Sequence, residues 1–442
     1  MSMKVLVVGG GGREHAIASA IAASGSTVYS IMRNHNPGIA RLSREFRLIK
    51  ETDVAAVVEF ALSRSVEMAV IGPEAPLEVG LVDALEAKGV KCVGPSKDAA
   101  RLEISKSFTR ALMRRHQVPG NIDFAVFDDL KGARKFVLDN DRDMVVKPVG
   151  LTGGKGVKVM GEHLLGKEDT IRYLEEIFEH RIGGGGVVLE EKLVGEEFTL
   201  QAFCDGRTVV PMPLVQDHKR AYEGDVGPNT GGMGAYSQED GLLPFVTARE
   251  RDAALDIMRR TVEAMRSEGC EYRGILYGQF MNTRDGPRVI EYNARFGDPE
   301  AMNVLSIVSS SFTDVCAGIA DGNLSPNKVA FMERATVCKY VVPRGYGTDP
   351  AAGKVVNVDE KAIAKLGAKA YYAMVSEEHG KVLTTTSRAV GVVGIGDTIE
   401  AAEMICEKAL THVTGEALFV RHDIGRPEVI RKRVEHMQQV RS

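Results

Sequence analysis

The chain has 442 residues, which at roughly 100–200 residues per domain is enough for two to four domains. With 44% hydrophobic and 26% charged residues it is neither disordered nor collagen-like, and a formal net charge of −4 argues against nucleic acid or an anionic membrane as partner. Glycine stands out at 47 residues, about a tenth of the chain against a usual share of about 7%, and with no tripeptide period the surplus must be local. Six cysteines lie far apart without CxxC or Cys/His zinc spacing, so they read as reduced thiols, and a cytoplasmic enzyme is expected. No apolar run approaches a membrane span, and Val5 to Val8 is too short for a signal peptide.

The first 118 or so residues alternate β-rich and amphipathic runs. Strands are predicted at Lys4–Val8, Thr27–Ile31, Met68–Ile71 and Val90–Val93, and helices at Arg13–Ala23, Val79–Lys88 and Ala99–His116. This is a doubly wound α/β pattern, ended by Pro119-Gly120. A second segment, 121–192, has strands at Met144–Lys147, Val157–Met160 and Val187–Glu190 and a helix over Asp169–His180. A third, 193–335, has strands at Glu197–Cys204 and Val209–Pro213, a long polar glycine-rich loop from Gln216 to Tyr236, a helix over Ala248–Arg266 and a hairpin from Gly274 to Asn293. The remainder, 336–442, reads as a small strand-rich unit closed by a helix over Thr398–His412. The fold class expected is therefore a multidomain mixture of α/β and α+β units.

The glycine clusters sit where ligands could bind. Gly9 to Gly12 lie between a strand and a helix, where bare backbone N–H groups and the positive helix end suit a phosphate; a purely structural turn is the alternative. A dinucleotide fingerprint fails, because Glu14 occupies the third glycine position and Ser30 to Asn34 offers no acidic residue for a ribose. His15 receives no role. Gly72-Pro73-Glu74-Ala75-Pro76 follows another strand on the same carboxyl edge, although such a turn can equally be empty.

Lys147 to Val157 places two lysines around a glycine loop between two strands, a layout that could cover nucleotide phosphates or form a plain hairpin. It is not a P-loop, since Val149 and Gly156 occupy positions that need Gly and Ser or Thr. Glu291 and Asn293, two apart, share a strand face, and a hairpin turn centred on Asp285 would set Gln279 opposite Glu291. Such oxygen donors suit Mg²⁺, though a solvent-facing polar edge would look the same. Two polar loops flank this hairpin, Arg295 to Glu300 after it and Gln216 to Gly234 before it.

Taken together, GGGGREHA (Gly9 to Ala16), GPEAPL (Gly72 to Leu77), KPVGLTGGKGV (Lys147 to Val157), QDHKR (Gln216 to Arg220), GPNTGGMGAYS (Gly227 to Ser237) and EYNARFGDPE (Glu291 to Glu300) resemble the ATP-grasp ligases. Within them they resemble the phosphoribosylamine-glycine ligase family over nearly the whole chain. The resemblance implies an N-terminal α/β domain, an ATP-grasp lid and central domain, and a C-terminal domain. It implies an ATP-dependent ligation of glycine to 5-phosphoribosylamine through a glycyl phosphate, in purine synthesis. The alternative is another ATP-grasp carboxylate-amine ligase of purine synthesis.

By that resemblance Lys106, Lys147, Gly153, Gly154, Lys155 and Gly156 would meet the ATP phosphates, Glu190, Glu191 and Leu193 the adenine, and Glu197 the ribose. Gln279, Glu291 and Asn293 would hold Mg²⁺ or Mn²⁺, with Gln279 a departure from the glutamate many ATP-grasp enzymes carry there. Arg295 would take the glycine carboxylate in a pocket with Gly297 and Asp298. The phosphoribosylamine would lie among Gly10, Gly11, Gly12, Glu74, Pro76, Asp217, Lys219, Asn229, Thr230, Gly231 and Gly232. Arg295, Asp298 and Lys155 are the catalytic candidates. The partners implied are small molecules only, acting on a monomer or weak homodimer.

Overall fold

A computed structural model describes residues 2–151 and 156–442. The expectations placed on Gly153, Gly154 and Lys155 lie outside the described residues.

The N-terminal part is one parallel sheet of β1 (Lys4–Val8), β2 (Thr27–Met32), β3 (Ser43–Leu48), β4 (Met68–Ile71) and β5 (Lys91–Val93), in the order β3-β2-β1-β4-β5. Val5 to Val8 are fully buried, as expected of a central parallel strand covered by helices on both faces. The helix predicted over 79–88 forms only as Leu81–Glu86: Gly80 adopts a left-handed φ of 82° and separates it from a short helix, Ala75–Glu78, that precedes the predicted span. The helix predicted over 99–116 is broken in two. Over 99–116 the break falls at Ser105, extended at φ −124°, whose hydroxyl accepts the Phe108 N–H and caps a new helix, Lys106–Arg115.

The next segment forms an antiparallel sheet of β6 (Phe124–Phe127), β7 (Met144–Pro148), β8 (Lys158–Val159) and β9 (Val187–Glu191), ordered β6-β9-β7-β8. Helices Leu130–Asp139 and Lys167–Glu179 cover it, and it has its own core around Val137, Val146, Leu174 and Ile177. The Gly183 to Gly186 stretch turns tightly here, and the Gly183 carbonyl accepts the Gly150 N–H at 2.9 Å. It braces the base of the Lys147–Val157 loop.

The central sheet contains β10 (Glu196–Asp205), β11 (Val209–Pro211), β16 (Arg273–Thr283) and β17 (Gly286–Asn293), ordered β11-β10-β16-β17. The expected polar loop over 216–236 instead holds four short strands, β12 (Gln216–Asp217), β13 (Arg220–Tyr222), β14 (Val226–Asn229) and β15 (Gly234–Ser237). Each has four residues or fewer and is poor in β-formers; β13 and β14 pair only with each other, while β12 and β15 join a larger sheet. β15 pairs with β18 (Ala335–Pro343), about a hundred residues on, in a sheet ordered β12-β15-β18-β23-β20. Here β20 is Lys369–Tyr372 and β23 is Val390–Gly396.

Helix Ile399–Leu410 does not close the last segment. A further helix, Pro427–Arg441, returns to the central sheet, burying Met437 fully and pairing Arg441 with Glu250. Among the described residues no helix is long and apolar enough to cross a membrane.

Candidate active site

A cleft of about 610 Å³ opens between the N-terminal part, the β6–β9 unit and the central sheet. Eighteen of the proposed positions contribute to its lining.

At one end Lys147 on β7 and Glu190 on β9 face Arg110 from helix Lys106–Arg115. Arg110 Nε donates to Glu190 Oε1 at 2.7 Å and Lys147 Nζ lies 2.7 Å from Glu190 Oε2, with all three side chains at most 5% exposed. Burial pushes the Glu190 carboxyl up, but the two cations outweigh it and hold it at about 2. Lys106 Nζ donates to the Gly150 carbonyl at 3.0 Å, and burial lowers its pKa. Glu191 and Leu193 line the same wall, Glu191 accepting the Asp123 N–H.

The β16–β17 hairpin carries the expected oxygen donors. Gln279 pairs with Glu291, as the turn arithmetic anticipated, but by a different route. Near the turn Thr283 pairs with Gly286 and Phe280 with Val289, so the hairpin centre lies half a residue before Asp285. A bulge at Ile290 restores the pairing beyond it. The unpaired Ile290 turns its carbonyl to Lys147 Nζ at 3.0 Å and Arg110 at 2.9 Å. The bulge thus ties the hairpin to the lysine.

Gln279 donates its amide N–H to Glu197 Oε2 at 2.5 Å, so its amide oxygen is the atom left to ligate. Lys219 Nζ reaches the same Glu197 oxygen at 3.3 Å; burial lowers the lysine's pKa, but Glu197, Glu291 and Asp217 raise it further, so it stays cationic. Among the described residues no three His, Cys, Asp or Glu side chains form a metal cluster. One carboxylate and two carboxamides on one strand pair are hard oxygen donors, and they fit a hard divalent cation that takes its remaining ligands from phosphate and water.

At the other end Arg295 is 2.9 Å from Glu103 Oε1 and 3.5 Å from Glu74 Oε2, and donates to Asn293 Oδ1 at 3.1 Å. Burial raises both carboxyls. Arg295 and Arg13 more than offset this at Glu74, whereas Glu103 remains at about 7. Gly297 donates its N–H to Gln201 and packs so closely on Tyr277 that a Cβ would come within 2.6 Å of the ring. Asp298 receives the Tyr340 hydroxyl at 2.5 Å on one oxygen and Arg388 at 3.1 Å on the other. Asp217 Oδ1 is buried without a partner, and burial, then Glu300, raises this carboxyl. Asn229, Thr230 and Gly231 complete the wall.

The structure does not bring every expected residue to the surface of this cleft. Gly10, Gly11, Gly12, Pro76, Gly156 and Gly232 are outside its lining. The Gly11 N–H is already taken by Glu14 at 2.7 Å, although Gly11 lies beside Asp298, where a Cβ would stand 3.9 Å from the carboxylate. Gly156 accepts the Tyr173 hydroxyl at 2.7 Å. Conversely, sequence reasoning missed Glu103, Arg110, Tyr340, Arg388 and Arg433. Recognising Ser105 as a helix cap would have set Lys106 and Arg110 on one helical face. Arg433, from the last helix, lines the cleft while bound to Glu196 and Asp225. Like Tyr340 and Arg388, it has no local signal.

Known proteins match the chain along its length. The chain matches the families described as phosphoribosylglycinamide synthetase N domain over residues 3–103, ATP-grasp (A) domain over 104–301 and C domain over 336–427. It is 55% identical over 442 residues to the phosphoribosylamine–glycine ligase of Methanothermobacter thermautotrophicus, covering all of both chains. The crystal structure of the Thermotoga maritima phosphoribosylamine–glycine ligase superposes with a TM-score of 0.82 at 28% identity, over 95% of this chain and 100% of that one. The biotin carboxylase domain of Hydrogenobacter thermophilus 2-oxoglutarate carboxylase, at 16% identity, shares the fold with a TM-score of 0.73 over 99% of this chain and 94% of that one.

Proposed function

Because the chain belongs to the phosphoribosylglycinamide synthetase family, and so performs the ATP-dependent ligation of glycine to phosphoribosylamine in purine biosynthesis, we propose that its cleft divides the reaction among three groups of residues. ATP-grasp enzymes use ATP and a divalent metal ion. The observation that carries the assignment is the adjacency, in one cleft, of Lys106 and Lys147, the Gln279–Glu291–Asn293 edge and Arg295. These are the groups needed for polyphosphate, cation and carboxylate.

The nucleotide would lie at the Lys147–Glu190 end, with Lys106, Lys147 and Lys155 toward its phosphates, Glu191 and Leu193 toward the base and Glu197 toward the ribose. Both Glu190 oxygens are engaged, so Glu190 serves by holding Lys147 in place. Mg²⁺ or Mn²⁺ would be held by Gln279, Glu291 and Asn293, where it supplies charge neutralisation and orientation for the phosphates.

The reaction proper is a double substitution. A glycine carboxylate oxygen takes the γ-phosphoryl group, releasing ADP. The amine nitrogen then attacks the acyl carbon, phosphate leaves, and the nitrogen loses a proton. Arg295, permanently charged and fork-shaped, orients the carboxylate; to do so it must exchange Glu103 or Glu74 for the substrate. Asp217, Lys219 and the 229–232 turn would hold the phosphoribosylamine, the unpartnered Asp217 oxygen accepting an N–H from the amine. Gly11, beside Asp298, and Glu74 would border it. Closing the 121–192 unit over the cleft would keep water from the acyl phosphate.

We take the working units to be 1–118, 121–192, 193–335 and 336–442. The separate core of the second supports its movement as a body. Six unpaired, buried cysteines support a reducing, cytoplasmic setting. The test is ADP release from purified protein. It should require glycine and phosphoribosylamine together, and release that is absent, or indifferent to either, would sink the assignment.

A further inference from the structure

We propose that Arg388, between β20 and β23, is the positioning residue that shapes and neutralises the phosphoribosylamine pocket. Residues beyond 335 are then part of the active site rather than packing beside it. The proposal rests on the assignment of the 229–232 turn to that pocket, which Asp298 adjoins beside Gly11 and Gly232.

Three backbone carbonyls converge on one nitrogen of Arg388. Nη1 donates to Gly231 O at 2.5 Å, Asp298 O at 2.8 Å and Gly232 O at 3.2 Å, and Nη2 pairs with Asp298 Oδ2 at 3.1 Å. The guanidinium lies 4.6 Å from the centre of the Tyr340 ring, and the Tyr340 hydroxyl donates to the other Asp298 oxygen. Tyr346 accepts the Gly231 N–H at 3.3 Å. The two loops come from different parts of the central segment, and this planar fork binds both at once.

Their fit is tight. Gly232 has a φ of 106°, and a Cβ there would come within 2.8 Å of both Asp217 Oδ1 and the Pro299 ring. A small shift of the turn would therefore move the walls formed by Asn229, Thr230 and Asp217. Arg388 also offsets the Asp298 charge in a pocket that must accept a phosphorylated, anionic substrate. Removing it would leave Asp298 with the Tyr340 hydroxyl but no cation and add repulsion toward that substrate, while the ATP end, held by Arg110, Lys147 and Glu190, would not feel the change.

R388M and R388K should be assayed beside the wild type for KM toward each substrate, kcat, and affinity for a non-hydrolysable ATP analogue. We expect KM for phosphoribosylamine to rise at least about tenfold in R388M, with ATP-analogue affinity within about twofold of wild type. R388K keeps the charge but not the fork, and its KM should rise by a smaller factor. An unchanged KM for phosphoribosylamine, or an equal loss of ATP affinity in the same variant, would overturn the proposal. If R388M does not fold, R388K is judged by the same split. A wild type that fails to use phosphoribosylamine would instead defeat the underlying assignment.

Discussion

The buried Arg110–Glu190–Lys147 triad allows a prediction with a magnitude and a sign. Glu190 bonds to one cation through each oxygen, and its carboxyl lies at about 2 rather than the ordinary 4.5. At about 1.4 kcal/mol per pH unit, that difference corresponds to a stabilisation on the order of 3 kcal/mol. It agrees with the ~3–5 kcal/mol typical of removing one partner from a buried pair. Glu190→Gln keeps the size of the side chain but leaves Arg110 and Lys147 facing each other across a neutral amide. Because the folded pKa is the lower one, the stabilisation is present in full above about 4.5 and disappears as pH falls through about 2. Urea titrations of wild type and E190Q should therefore differ by about 3 kcal/mol at pH 7, with the gap closing below about pH 4.5. KM for ATP should rise as well, since Lys147 loses its anchor. A difference under about 1 kcal/mol at pH 7, or one that does not change with pH, would refute the argument that the pair carries this energy.

Three further outcomes are expected. Glu103, at about 7, competes with glycine for Arg295 only when ionised, so KM for glycine should rise as pH passes upward through 7, and E103Q should flatten that rise in a steady-state pH series. Glu291→Ala removes the only carboxylate of the Gln279–Glu291–Asn293 edge. It should lower kcat on the order of 10²-fold and raise the metal concentration giving half-maximal rate, without shifting Tm more than a few degrees. Lys339 is fully buried between Glu403, Glu407 and the His422 carbonyl, so Lys339→Met should cost ~3–5 kcal/mol by denaturant titration while leaving the substrate KM values unchanged.

Local patterns carried the reading a long way. Lys4–Val8 and Met68–Ile71 are strands over the residues their apolar runs mark, and helix Ala248–Ser267 covers the run expected over Ala248–Arg266. The Gln279–Glu291 pairing agrees with the count from a turn at Asp285, but only because the bulge at Ile290 makes up for a hairpin centred half a residue earlier. Local patterns failed where a single backbone conformation sets a helix boundary, at Gly80 and Ser105. They failed again over 216–237, where β15 is held by β18 with β12 beside it, and β13 and β14 form a short hairpin of their own.

The sequence by itself determined which strand face bears oxygen donors and, through its motifs, the family and its reaction. These are properties of spacing within a dozen residues, where bond geometry alone dictates which groups share a face or a turn. Only the tertiary structure decided which charges meet: Glu190 with Arg110, Glu103 with Arg295, and Asp298 with Arg388. Those partners lie about 80, 190 and 90 residues apart, and a Coulomb interaction depends on distance and burial, which the chain acquires only when its sheets close around the cleft.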